Sequence, residues 1–138
     1  MITKLDIISI QCMNLFFKIT GVKSKFCFNY ASTLVFIVDP EQLNAAIGER
    51  GYNLRRLGIM LKKRIKILPV PTFNKINRFV KALIFPLKFQ KLTIENQDVI
   101  IKAGQQAKAS LIGRDHVNMD QLQDILKYYF KIKSLKIV

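Results

Sequence analysis

The feature that most constrains this chain is that it repeats itself. At a fixed offset of 65 residues Ile47 returns as Ile112, Gly48 as Gly113, Asn53 as Asn118, Leu57 as Leu122 and Leu61 as Leu126. Five matches in one frame do not arise readily by accident, so the second half is expected to fold as the first does. Pro69-Val70-Pro71 breaks regular structure and marks the boundary. The expectation is two compact domains, residues 1–70 and 71–138, each with its own core and with almost no linker between them. So short a connection favours a fixed relative orientation and one continuous binding surface.

Hydrophobic spacing gives the contents of each copy. Leu5, Ile8, Cys12, Leu15, Phe16 and Ile19 recur three or four apart and predict a helix over 2–19 that Gly21 ends. Phe26, Phe28 and Tyr30 alternate with Cys27 and Asn29 as in a half-buried strand, and the unbroken apolar run Leu34 to Val38 reads as its buried partner across the Ala31-Ser32-Thr33 turn. Pro40 opens a short helix carrying Leu43, Ala46 and Ile47. A second helix follows with Leu54, Leu57, Leu61 and Ile65 inward, then a strand at 66–70. In the second copy Thr72 is expected to cap a helix with Ile76, Phe79, Val80 and Leu83 inward. Strands are expected over 87–95 and 98–102, a short helix over 105–112, a helix with Met119, Leu122, Leu126 and Tyr129 inward, and a strand over 135–138. The order is αββααβ, twice.

Between the paired helices stands Ile47-Gly48-Glu49-Arg50-Gly51. Glycine at both corners permits positive φ and is expected to leave backbone N–H groups uncovered, so that a sugar-phosphate strand can come close. The next helix opens toward this turn with its partial positive charge, and Arg50, Arg55 and Arg56 add full charges. The second copy has Ile112-Gly113-Arg114-Asp115-His116 in the same place.

Charge agrees with an anionic partner. The chain has 138 residues, 50% of them hydrophobic, with 23 Lys and Arg against nine acids and a net charge of +14. Each half carries +7, because residues 1–70 hold eleven basic and four acidic side chains and residues 71–138 hold twelve and five. Such an excess points to a polyanion or an anionic membrane surface. Spanning a bilayer is not expected, because the longest uncharged stretches, 7–17 and 26–38, fall short of the ~20 apolar residues required. Asp6, Gln11 and Asn14 interrupt the N-terminal apolar run, so no signal peptide is expected and the chain reads as soluble and cytoplasmic. Cys12 and Cys27 have no metal-ligand spacing and are expected to be reduced and buried. One histidine, no paired carboxylates in an apolar setting and no Walker-type loop leave no catalytic set; neither enzyme activity, metal nor cofactor is expected.

The segments AIGERGYNLRRL and SLIGRDHVNMDQL, with the proline-marked junction, resemble K-homology (KH) domains, whose Gly-x-x-Gly loop clamps four nucleotides of single-stranded nucleic acid. Two αββααβ units filling the chain resemble the archaeal NusA-type transcription factors. The resemblance implies an α+β fold of two tandem type II KH domains, each a three-stranded sheet packed on helices. It implies binding of single-stranded nascent RNA, and association with RNA polymerase in elongation, pausing or termination. Residue by residue it assigns RNA contacts to Ile47, Gly48, Glu49, Arg50, Gly51, Asn53, Leu54, Arg55 and Arg56, and to Gly113, Arg114, Asp115, His116 and Asn118. Bacterial members carry polymerase-binding and S1 domains for which these 138 residues have no room, so contact with polymerase by the bacterial route is not implied.

The chain departs from the pattern at His116, which stands where the second loop should have its second glycine. A histidine can adopt the left-handed conformation, so the loop either is partly degenerate or uses the imidazole to stack on a base or donate to a phosphate. Asp115, Asp120 and Asp124 make the second helix less basic than the first. Glu49 is expected to point into solvent, Gly58 to permit close packing, and Tyr128, Tyr129 and Phe130 to be core and surface cover. Two other functions remain open on the residues alone: a ribosomal-RNA-binding assembly or ribosome-associated protein, and a basic protein-interaction module. The chain is expected to act as a monomer.

Overall fold

The computed structural model describes residues 7–72 and 74–138. The fold is α+β, with two three-stranded sheets and six helices among the described residues. The chain divides into two compact units, the first ending at Val70 and the second starting at Pro71.

In the first unit α1 (Ile7–Thr20) is followed by β1 (Phe26–Tyr30), β2 (Thr33–Val38), α2 (Leu43–Ile47), α3 (Tyr52–Leu61) and β3 (Arg64–Pro69). Strand β2 is central: β1 pairs with it antiparallel from Phe26↔Ile37 to Tyr30↔Thr33, and β3 pairs with it parallel from Thr33↔Arg64 to Val38↔Pro69. A parallel neighbour requires a crossover, and α2, its loop and α3 make it. The core forms where Phe16 of α1 stacks on Phe36 of β2 at 4.4 Å, beside Leu57 of α3, Ala46 of α2 and Ile67 of β3. Phe28, Tyr30, Val35 and Ile37, on the other face of the same sheet, are buried too, as the unbroken apolar run in β2 requires.

The second unit repeats this plan with α4 (Ile76–Ile84), β4 (Lys91–Glu95), β5 (Asp98–Lys102), α5 (Gln105–Ile112), α6 (Val117–Phe130) and β6 (Ser134–Ile137). Its sheet runs β4-β5-β6, again antiparallel then parallel. The helix after the loop is longer here: α6 has 14 residues where α3 has 10. Both helices end on a lysine in the same left-handed conformation, Lys62 at φ 54°, ψ 40° and Lys131 at φ 54°, ψ 40°. The fixed offset is therefore lost after Leu126, where α6 adds about one turn.

Several sequence expectations are corrected. Ile65 is not the last inward residue of a helix; α3 stops at Leu61, Lys62 reverses the chain, and Ile65 lies in β3 opposite Leu34. The four-residue spacing from Leu61 to Ile65 mimicked one more helical turn. Thr72 does not cap α4; its carbonyl accepts from the Lys75 N–H at 2.9 Å in a turn, and the helix starts at Ile76. Residues 87–90 precede the strand rather than belong to it, because the Leu87 N–H bonds back to Ile84. Ile8 is 71% exposed, since α1 packs chiefly through Phe16, and Leu5 lies outside the described residues. Cys12 is half-buried rather than buried, whereas Cys27 is buried in the core as expected; neither is in a disulfide. Gly58 behaves as expected: a Cβ there would touch the Lys63 carbonyl at 3.4 Å, where the chain doubles back. Tyr129 and Phe130 pack on Phe79 at 5.6 and 5.9 Å. No helix among the described residues is long and apolar enough to cross a membrane.

Candidate functional site

The loop between α2 and α3 is a tight, internally bonded turn. Helix α2 ends when the Gly48 N–H donates to Asn44 O at 3.0 Å and the chain leaves at φ 82°, ψ 166°. The Gly51 N–H then donates to Gly48 O at 3.0 Å, and the Tyr52 N–H donates to Glu49 O. Arg50 and Gly51 are both left-handed, at φ 53° and 74°. The glycine amides are therefore not uncovered, contrary to the sequence reading. Any main-chain donor offered to a ligand from the loop itself must come from Glu49 and Arg50, the exposed residues at its tip.

The reason for glycine at 48 is a side chain. Asn53 of α3 reaches back so that its Nδ2 donates to Ala45 O of α2 at 3.3 Å, locking the two helices across the loop. In doing so it fills the space beside Gly48, where a Cβ would stand 2.9 Å from both Asn53 Cγ and the Asn53 main-chain N. Arg55 is a second brace, its guanidinium donating to the Arg50 carbonyl. Asn53 and Arg55 thus shape the loop as well as border it.

Around this frame lies an open depression of about 440 Å³ lined by Gly48, Glu49, Arg50, Tyr52, Asn53 and Arg55. Glu49 points into solvent as expected, and Arg50, Arg55 and Arg56 are exposed. Ile47 and Leu54 are half-buried and pack on the core, so only part of each can serve as an apolar groove wall. Tyr52 is 56% exposed on the rim, and the sequence reading passed over it. Its signal was available: an aromatic residue immediately after the second glycine, where α3 begins.

The second loop has the same backbone. Gly113 is at φ 75°, ψ 172°, Asp115 at φ 54° and His116 at φ 62°, within 20° of Gly48, Arg50 and Gly51. The His116 N–H bonds to Gly113 O at 3.3 Å and Asn118 Nδ2 donates to Ser110 O at 3.1 Å, reproducing both the turn and the asparagine brace. Histidine therefore replaces glycine here without changing the turn. What changes is charge: Asp115 stands for Arg50 and Asp120 for Arg55, while Val117, 50% exposed, stands for Tyr52. Arg114, Asp115 and His116 are exposed.

Fold and loop together define the class: an α+β chain of two small tandem domains, each presenting a braced turn between two short helices. The chain is 23% identical over 139 residues to the probable transcription termination protein NusA of Methanococcus vannielii, covering 98% of this chain and 79% of that protein. It is 23% identical over 133 residues to the protein of the same name from Methanocaldococcus jannaschii, covering 94% and 72%. Among solved structures, the crystal structure of APE1850 aligns over 97% of this chain and 100% of its own at a TM-score of 0.63 and 24% identity, a likeness of fold. No protein-family model matches. The chain is thus distantly similar, over most of its length, to archaeal NusA-like proteins.

Proposed function

We propose that this protein is an RNA-binding transcription factor of the NusA type, acting in elongation or termination, and that its two units are type II KH domains. The observation that carries the reading is the first loop. A turn held open by Asn53 and Arg55 presents Arg50 at its tip, Tyr52 on its rim and the start of α3 beneath, an arrangement suited to a phosphate flanked by a stacked base. The repetition of that turn at 113–116, and the likeness to two proteins named for transcription termination, support it. The protein acts by binding, without chemistry of its own and without a cofactor. In this reading Arg50 and the main chain at the loop tip hold the backbone of a single strand, Gly48 and Gly51 shape the turn that presents them, Arg55 and Arg56 add charge, and Ile47 and Leu54 touch the bases. The second loop is the weaker anion site, because Asp115 and Asp120 face the same region.

The test is Arg50→Asp with Gly51→Asp. Position 51 tolerates a side chain, as His116 does at the matching site, so the variant is expected to fold. It is expected to lose binding of short single-stranded RNA in a gel-shift or anisotropy titration, and unchanged affinity would defeat the proposal. Recovery of the tagged chain with RNA polymerase subunits supports the transcriptional role; recovery with ribosomal particles overturns it.

A further inference from the structure

The two sheets have the same register but opposite surfaces. In the first, the outer face carries the cross-strand pairs Phe26↔Ile37 and Phe28↔Val35, and Phe28, Val35 and Ile37 are buried. In the second, the matching pairs are Lys91↔Lys102 and Thr93↔Ile100, and Lys136 of β6 lies beside Ile100. Val99, Ile101, Leu135 and Ile137 point the other way into the core, so Lys91, Lys102 and Lys136 share the outer face, and all three are exposed. Two lysines directly opposite on adjacent strands, about 5 Å apart at Cβ, repel and destabilise the sheet. No carboxylate among the described residues pairs with them. The acid on this face of β5, Asp98, is at the hairpin end and accepts from Ser134 Oγ at 2.7 Å. The face is therefore polarised, with acids at one end and an uncompensated lysine cluster at the other.

We infer that the outer face of the second sheet, centred on Lys91, Lys102 and Lys136, is a second polynucleotide site that contacts the RNA phosphate backbone apart from either loop. A strand of RNA fits this face better than an acidic protein does. Lysine is depleted at protein interfaces, and the cluster surrounds Thr93 and half-buried Ile100, with the small side chain of Val138 at the strand end and no aromatic anchor on the face. Flexible ammonium groups on a flat sheet suit phosphates read without sequence preference. The duplication has in this way divided its charge. The first unit concentrates arginine at its loop, whereas the second, with Asp115, Asp120 and Asp124 near its loop, places lysine on its sheet.

The inference rests on the RNA-binding reading only for the identity of the anion. The experiment compares the whole chain with Lys91→Gln/Lys102→Gln/Lys136→Gln and, separately, with Arg50→Asp, using a long oligouridylate, a salt titration and ultraviolet crosslinking. The triple glutamine variant is expected to keep its urea midpoint and to lower the log-log salt slope by about 2, since each phosphate on a single strand contributes ~0.7. Crosslinks to residues 91–102 are expected in wild type and in Arg50→Asp, and are expected to vanish in the triple variant. An unchanged slope, or no crosslink to the second sheet, overturns the inference. Competition by polyglutamate as effective as that by RNA overturns the choice of ligand and favours an acidic protein. If Arg50→Asp binds as wild type while the triple variant fails, the loop reading falls and the sheet site stands.

Discussion

Replacing Gly48 by alanine tests the idea that the loop is shaped by Asn53. The residue sits at φ 82°, ψ 166°, a region essentially reserved for glycine, and holding a side chain there costs about 1–3 kcal/mol. The new Cβ would also stand 2.9 Å from Asn53 Cγ and from the Asn53 main-chain N. The side chain can swing away only by giving up its bond to Ala45 O, about 1 kcal/mol, and the main-chain atom cannot move without displacing the start of α3. The sum is roughly 2–4 kcal/mol, a large part of the 5–15 kcal/mol that holds a typical domain together. Gly51→Ala is the contrast. Its φ of 74° is ordinary left-handed backbone, its nearest neighbour is the side-chain end Arg55 Nη1 at 3.4 Å, and the matching site already carries His116, so about 1–2 kcal/mol is expected. Gly113→Ala should cost as much as Gly48→Ala, because a Cβ there meets Asn118 Cγ at 2.8 Å. Urea unfolding followed by circular dichroism, fitted with one transition for each unit, reads the differences. A Gly51→Ala penalty equal to or larger than that of Gly48→Ala would refute the reasoning.

Other perturbations separate structure from binding. Asn53→Ala and Asn118→Ala each remove one helix-to-helix hydrogen bond and should destabilise their units by about 1 kcal/mol in the same assay. Phe36→Ala empties the fully buried partner of Phe16 and should cost about 3–5 kcal/mol, enough to unfold the first unit at moderate urea. Burial pushes the Tyr30 hydroxyl up to about 12, so the folded state holds its proton when the unfolded chain releases it near 10. Its contribution is fully present below pH 10 and is lost as pH rises from 10 to 12, by up to about 3 kcal/mol. Tyr30→Phe should flatten that decline in urea midpoints measured against pH. Asp120→Arg supplies the second loop with the charge that Arg55 gives the first, and should tighten RNA binding and steepen its salt slope by about one unit.

Periodicity fixed the six helices and six strands to within a few residues, and the offset of 65 matched Gly48 to Gly113 and Asn53 to Asn118 before any geometry was known. The errors fell where two readings share one spacing. Ile65 continues the helical stripe of Leu57 and Leu61, and only the left-handed turn at Lys62 assigns it to β3. The alternation in β1 reads as a half-buried strand, yet Phe28 and Tyr30 on one face and Cys27 on the other are all buried.

At the site, sequence located the loops and their charges, because glycine and arginine are visible as letters. It could not show that the Gly48 and Gly51 amides are spent within the turn, that Asn53 and Arg55 act as braces, or that Tyr52 is left on the rim. Local order thus determined the elements, their repetition and the excess of positive charge, since those depend on neighbours a few residues apart. Tertiary structure decided which face each residue occupies and which donors remain for a ligand. Those outcomes depend on strands and helices that meet only when the chain has closed on itself, as when register alone sets Lys91 against Lys102 where the first copy sets Phe26 against Ile37.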